Sequence, residues 1–279
     1  MKYKVVAVLL VIVLVVVWSI FSLVEGVKDD NIKYESGMLS YRIGEYERAM
    51  SAWDGLERYR WDVAEKFAKI YFFGLLGQRD VGKAKKYLSK FSNKYKDKVG
   101  YMMALILIDE GALKNGAEIE DYLEASSKYT KESGFLLAMH RIAFGDISDY
   151  LSMLDDGFYG DVFFKKGGGK IEQSNNFYTG IHLGYLGLNA EISKVIGEAF
   201  YSGQIVDQNI EFAYYWFLRA AELSNSDGKY YLYLINMSPS GWPVLNCVLA
   251  NRYLKELESI GYFEGDNETK FKEYCVRDL

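Results

Sequence analysis

Few residues in this chain have the types and spacing that chemistry needs. The most suggestive run is Lys165-Lys166-Gly167-Gly168-Gly169-Lys170, basic and glycine-rich as a phosphate-cradling loop would be. A phosphate loop needs Gly, four residues, Gly-Lys and then Ser or Thr, so that backbone N–H groups, an ammonium and a hydroxyl converge on the ligand. Here Phe164 stands where the first Gly belongs, Ile171 follows Lys170, and no strand pattern leads in. The run reads as a flexible basic surface loop.

Metal and acid–base chemistry fare no better. His140 and His182 lie far apart in the chain, with no Cys or carboxylate at ligand spacing. Both read as structural histidines, and His140 falls in Leu136-Leu-Ala-Met-His-Arg-Ile142, a helix-core pattern. Carboxylates pair at Asp29-Asp30, Asp109-Glu110 and Asp155-Asp156. General acid–base work needs two carboxyls in different environments across a cleft, whereas neighbours in sequence point apart and stay solvated. The chain is therefore read as a non-enzyme, with no catalytic residue, metal ligand or cofactor. A cell-envelope enzyme such as a muramidase finds no support.

Cys247 and Cys275 leave two readings open. Outside the cytoplasm they would join and close a loop, worth roughly 3.5 kcal/mol in chain entropy. Otherwise they are buried free thiols. Two Cys are too few for a disulfide-dense scaffold or a zinc site. The 24 Tyr and 5 Trp would suit a sugar-binding surface, yet in stacked helices most aromatics fill gaps between helices. In Tyr214-Tyr215-Trp216, Tyr214 fits a buried stripe while Tyr215 is expected to point outward. Tyr230, Tyr231 and Tyr233 divide in the same way. A net charge of -5 argues against nucleic acid, whose binders show a basic face.

The elements that would position such residues begin with Val5 to Val24, an unbroken stretch without a charge. As a helix this run would be roughly 30 Å long, the thickness of a bilayer's hydrocarbon core. The rival reading, a cleaved signal peptide, finds only a poor cleavage frame at Val24-Glu25-Gly26. Lys2 and Lys4 precede the run and Glu25, Asp29 and Asp30 follow it, which favours a short cytoplasmic tail with the long part across the membrane. The expected organisation is a tail over 1–4, a transmembrane helix over 5–24, a linker over 25–33, an α-solenoid over 34–265 and a charged cap or tail over 266–279.

Beyond the apolar run the pattern is helical almost throughout. Pro239 and Pro243 are the only prolines, both in the turn Ser238-Pro-Ser-Gly-Trp-Pro243, so little else forbids helix. Ile192, Val195, Ile196, Ala199 and Phe200 follow the i, i+3, i+4, i+7, i+8 rule, and Gly203 stops that helix. Ile210, Ala213, Tyr214, Phe217 and Ala221 make a second amphipathic helix. Such a hairpin cannot bury its own apolar face and needs stacked neighbours.

Those neighbours recur on one ruler. Gly197 precedes Phe200 by three residues and Gly203 by six; Ala213 comes ten later, then Trp216 and the pair Ala220-Ala221. Upstream the same spacing fits Ala68, Tyr71, Gly74, Ala84 and Tyr87. Gly37, Gly44, Tyr46, Ala49 and Trp53 form a third unit, and the step from Ala49 to Ala84 is one helical-hairpin period. Residues 100–190 fit loosely, with helix-plus-glycine texture at Tyr101 to Gly111 and Gly134 to Gly145.

This pattern resembles the Sel-like repeat family, most closely in Gly197-x-x-Phe200-x-x-Gly203, Ala213-x-x-Trp216, Ala220-Ala221. The unit from Gly37 to Trp53 looks more like the related tetratricopeptide repeat. The resemblance implies an all-α solenoid of about six or seven hairpins that binds other proteins, and no catalytic residues. The chain is thus expected to be a single-pass protein of the cytoplasmic membrane, its solenoid in the periplasm or outside. Its expected job is a non-catalytic scaffold for an envelope complex, or alternatively an immunity protein that neutralises a secreted toxin such as a phospholipase. The expected partners are that protein and, through residues 5–24, the lipid bilayer, with no nucleic acid and no small-molecule substrate.

Overall fold

A computed structural model describes residue 18 and residues 26–144, 189–203, 207–239, 242–243, 245–262 and 275, with residues 112–114, 138 and 142–144 described by backbone alone. Every regular element among the described residues is a helix. In chain order these are α1 (26–42), α2 (Tyr46–Ala52), a short 3-10 turn (Leu56–Arg58), α3 (Trp61–Phe73), α4 (Val81–Ser89), α5 (Lys96–Ser126), α6 (Lys131–Phe144), α7 (Ala190–Ser202), α8 (Ile210–Glu222), α9 (Ser226–Asn236) and α10 (Cys247–Ser259). The span expected over 5–24 lies outside the described residues but for Trp18. No described helix is long and apolar enough to cross a membrane. The basic run 165–170, His182, Asp155-Asp156 and most of the C-terminal tail are likewise outside them.

Local chemistry sets where these helices start and stop. The side chains of Asp80, Asn189, Asn209, Asn225 and Asn246 accept from the backbone N–H three residues on, at 2.8, 3.0, 2.9, 2.7 and 3.1 Å, opening α4, α7, α8, α9 and α10. Each such cap is worth about 1 kcal/mol. Two helices end in the same way. Gly74 (φ 69°) closes α3 and Gly203 (φ 64°) closes α7, in the left-handed region where a Cβ is penalised. Within α5 the backbone breaks at Gly111, and the two arms fold back until Gly100 lies against the carbonyl of Tyr122.

Antiparallel hairpins result, the arrangement of an α-solenoid, and glycine governs how closely they pack. A Cβ at Gly37 would sit 2.2 Å from the Trp53 ring, where α1 crosses α2. At Gly197 it would sit 2.6 Å from Phe217, where α7 crosses α8, and at Gly228 it would sit 2.9 Å from the Ala220 Cβ on α8. The residues expected as a linker are helical from residue 26 and form the first two turns of α1. Tyr59 Oη donates to Asp30 at 2.6 Å and the Arg60 guanidinium lies 3.7 Å over the Tyr34 ring, bracing α1 against the body.

The core centres on α8. Nine consecutive residues, Phe212 to Ala220, are buried. Phe212 meets Tyr101 of α5, Phe135 of α6 and Phe200 of α7; Phe217 stacks on Tyr231 of α9. Tyr215 stacks on Phe72 of α3, and Tyr214 meets Phe73 of α3 and Trp242 edge-on. This corrects the expectation that Tyr215 points outward: α3, from much earlier in the chain, covers that face. In an open solenoid each repeat touches only its neighbours. Here a late helix fills the space beside an early one. Cys247 and Cys275 form a disulfide, with Cys275 buried beside Met237.

Gly197→Ala and Gly37→Ala should each cost about 1–3 kcal/mol, because an aromatic ring must move in a packed core. Gly26→Ala, with nothing within 4 Å, should be neutral or stabilising. Gly203→Val and Ala213→Trp should lower the melting temperature through strain and overpacking. Thermal unfolding followed by circular dichroism checks all five.

Candidate protein-docking site

The repeat-signature residues build the scaffold. Ala49, Trp53, Ala84, Ala213, Trp216 and Ala220 are buried, with Ala221 half-buried beside them. Gly44 turns between α1 and α2 at positive φ, and Gly37, Gly74, Gly197 and Gly203 serve the crossings and caps above. None of these side chains faces a cleft with chemistry in it. Among the described residues no group of three or more His, Cys, Asp or Glu is placed to hold a metal ion.

The paired carboxylates serve structure too. Asp30 accepts from Tyr59 and Asp29 pairs with Lys33. Asp109 accepts from Arg79 at 2.9 Å and Glu110 from Lys85 at 2.6 Å. His140 is buried, and burial pushes its imidazole below the usual histidine value against the opposing pull of Glu120.

Three polar clamps hold α8 in place. Near its N-terminus, Lys69 of α3 lies 2.8 Å from Glu211 and 3.2 Å from Glu65, with its side chain 10% exposed. Burial alone would push the Glu65 carboxyl up, yet Lys69 and Lys66 hold it below the usual carboxylate range. Burial would lower Lys69, yet Glu211 and Glu65 hold it above the usual lysine range. At the other end Arg79 donates to the Phe72 carbonyl at 2.8 Å and pairs with Asp109 and Glu222. On a third side Asn209 Nδ2 donates to Glu132 of α6 at 2.8 Å, and Lys131 pairs with Asp207. Charge at these sites fixes helices rather than presenting itself to a substrate.

Among the described residues, one surface open to a partner is a groove of about 520 Å³ where three turns meet. Gly44 to Arg48 form one wall, Leu75 and Leu76 another, and Leu245 to Val248 the third. Asn246 pins the floor: its Oδ1 caps α10 while its Nδ2 donates to the Leu75 carbonyl at 2.9 Å. Leu76 and Val248 expose 40% and 68% of their surface at this groove. Glu45 is engaged with Arg48 at 3.0 Å, which leaves the rim carboxylate of Glu47 facing solvent. An apolar floor with a few polar groups at its edge is the make-up of a binding surface.

Sequence reasoning missed this groove, since its walls are 171 residues apart in the chain at the Asn246–Leu75 bond. It also missed the asparagine caps, although an Asn just before each apolar-periodic stretch was a legible start signal. Lys69→Met would strand Glu65 and Glu211 and should cost about 3–5 kcal/mol by urea unfolding. Because folding lowers the Glu65 value, that carboxyl's contribution is complete above the unfolded value near 4.5 and is lost as pH falls through the folded one. Stability measured across the acid range should therefore drop as pH falls, less steeply in Glu65→Gln.

Residues 62–94 and 195–225 match the Sel1 repeat family. The first stretch is α3 with α4 and the second is α7 with α8, the two hairpins whose helices carry the equivalent glycine caps. No curated protein and no solved structure matches the chain. Sel1 repeats generally mediate contacts between proteins and are typically non-catalytic. The chain thus matches the Sel1 repeat at two places, among described residues whose regular elements are all helices.

Proposed function

We propose that this protein is a non-catalytic docking module held at the outer face of the cytoplasmic membrane, where it scaffolds other envelope proteins. The observation that carries the reading is the match to the Sel1 repeat at two places, the first of which supplies Leu75 and Leu76 to a groove whose exposed aliphatic side chains are Leu76 and Val248. Two further features support the location. Val5 to Val24 is long and apolar enough to span a bilayer. The Cys247–Cys275 bond is of a kind that persists in oxidising compartments.

The mechanism is positional. A partner confined to the same membrane meets the groove at high effective concentration, so a modest affinity suffices. The groove takes an apolar side chain of the partner between Leu76 and Val248, and Glu47 favours a neighbouring basic residue.

The test is recovery of partners with the tagged full-length chain from membranes in mild detergent, identified by mass spectrometry. Envelope-assembly proteins should be recovered, and Leu76→Glu should reduce their yield about tenfold or more without changing the melting temperature. A secreted toxin recovered at one-to-one stoichiometry would replace the scaffold by the immunity reading. Equal yield from the Leu76→Glu variant would move the docking site elsewhere.

A further inference from the structure

The helix α1 carries an apolar stripe that the body does not cover. Gly37 and Tyr41 face the body, where Gly37 meets Trp53 and Tyr41 is buried beside Tyr46 and Trp53. On the opposite side lie Ile32, Ser36 and Leu39, at i, i+4 and i+7, followed by Ile43 in the next turn. Ile32, Leu39 and Ile43 expose 59%, 62% and 52% of their surface. The small Ser36 between them lets another helix approach closely. Three large aliphatics aligned along one helix face are a seam, not scattered surface residues.

We propose that this stripe joins two copies of the chain, stalk to stalk and parallel, in the plane of the membrane. The proposal rests on the anchored reading of residues 5–24, because the anchor decides the occupant. Residue 26, where the described part of α1 opens, lies two residues after Val24. Leu39 stands more than three turns further along that helix, about 20 Å up the axis. The polar zone of a bilayer is only about 5–8 Å thick on each side. A stalk continuing the span therefore carries Leu39 and Ile43 past the lipid headgroups.

A second copy, by contrast, presents the same stripe at the same height and in the same direction, since both chains leave one membrane. A two-fold axis along the membrane normal then sets Ile32 against Ile32, Ser36 against Ser36 and Leu39 against Leu39. Such a seam falls well short of the roughly 1,200 Å² that a stable soluble interface buries. Confinement in the bilayer supplies the difference through effective concentration. The pairing also sets two grooves side by side, so one assembly would hold two partners.

The test uses the full-length chain in lipid vesicles. Ser36→Cys lies on the stripe and Asn31→Cys, also exposed, lies off it, and each is oxidised mildly before a non-reducing gel. Ser36→Cys should give covalent dimer in at least fivefold higher yield than Asn31→Cys. Adding Leu39→Glu to Ser36→Cys should bring the yield down to the Asn31→Cys level while the melting temperature stays unchanged. Equal yields in vesicle-bound protein would overturn the pairing and leave the anchor standing. So would quenching of a Ser36→Cys fluorophore by a lipid-borne quencher, which would assign the stripe to the bilayer. A chain that fails to float with vesicles would overturn the anchor and the pairing together.

Discussion

The rest of the structure depends on burying one helix on every side. Over nine buried residues α8 carries two Phe, two Tyr, a Trp and a Leu, and its one charge there, Arg219, lies over the Tyr215 ring. A helix apolar all round must be enclosed, and each such side chain returns about 1.5–3 kcal/mol when it is. Enclosure on this scale is more than a single hairpin partner can provide. α7 and α9 cover two sides; α5, α6 and α3 must come from earlier in the chain to cover the others.

That demand accounts for both the glycines and the charges. Helices can wrap a core of large rings only where backbones approach closely, so the crossings against Phe217 and Ala220 fall at Gly197 and Gly228. Non-directional apolar contact would still let α8 slide or rotate against α3. The Lys69–Glu211 pair near one end and the Arg79–Glu222 pair at the other fix its register. The Lys69 pair lies largely away from water, where an ion pair adds little net stability but is expensive to break, which is how it specifies an arrangement.

Filling the inner space has a functional consequence. Repeat proteins commonly bind along their concave surface, and here the face of α3 toward α8 is occupied by the protein's own aromatics. Among the described residues, exposed aliphatic surface is found at the groove between three turns and along the free side of α1. Both are small and aliphatic, with nothing arranged to transfer a proton or hold a phosphate. Under the proposed anchoring, small apolar surfaces suffice because effective concentration replaces contact area.

By itself the sequence determined the local units. The periodicity of Ile192 to Phe200, the stops at Gly74 and Gly203, and the ten-residue step to Ala84 and Ala213 are set by contacts within one hairpin, so they are legible in a single repeat. The asparagine starts at 189, 209, 225 and 246 were equally local. Tertiary structure alone decided that α8 has no outer face between Phe212 and Ala220. Tyr215 looked solvent-facing on its own helix because amphipathic pattern reports only the partners a hairpin must have, and α3 arrives from far upstream. The groove at Leu76 and Val248 was invisible for the same reason: its walls join over 171 residues, and no periodicity carries information across that distance.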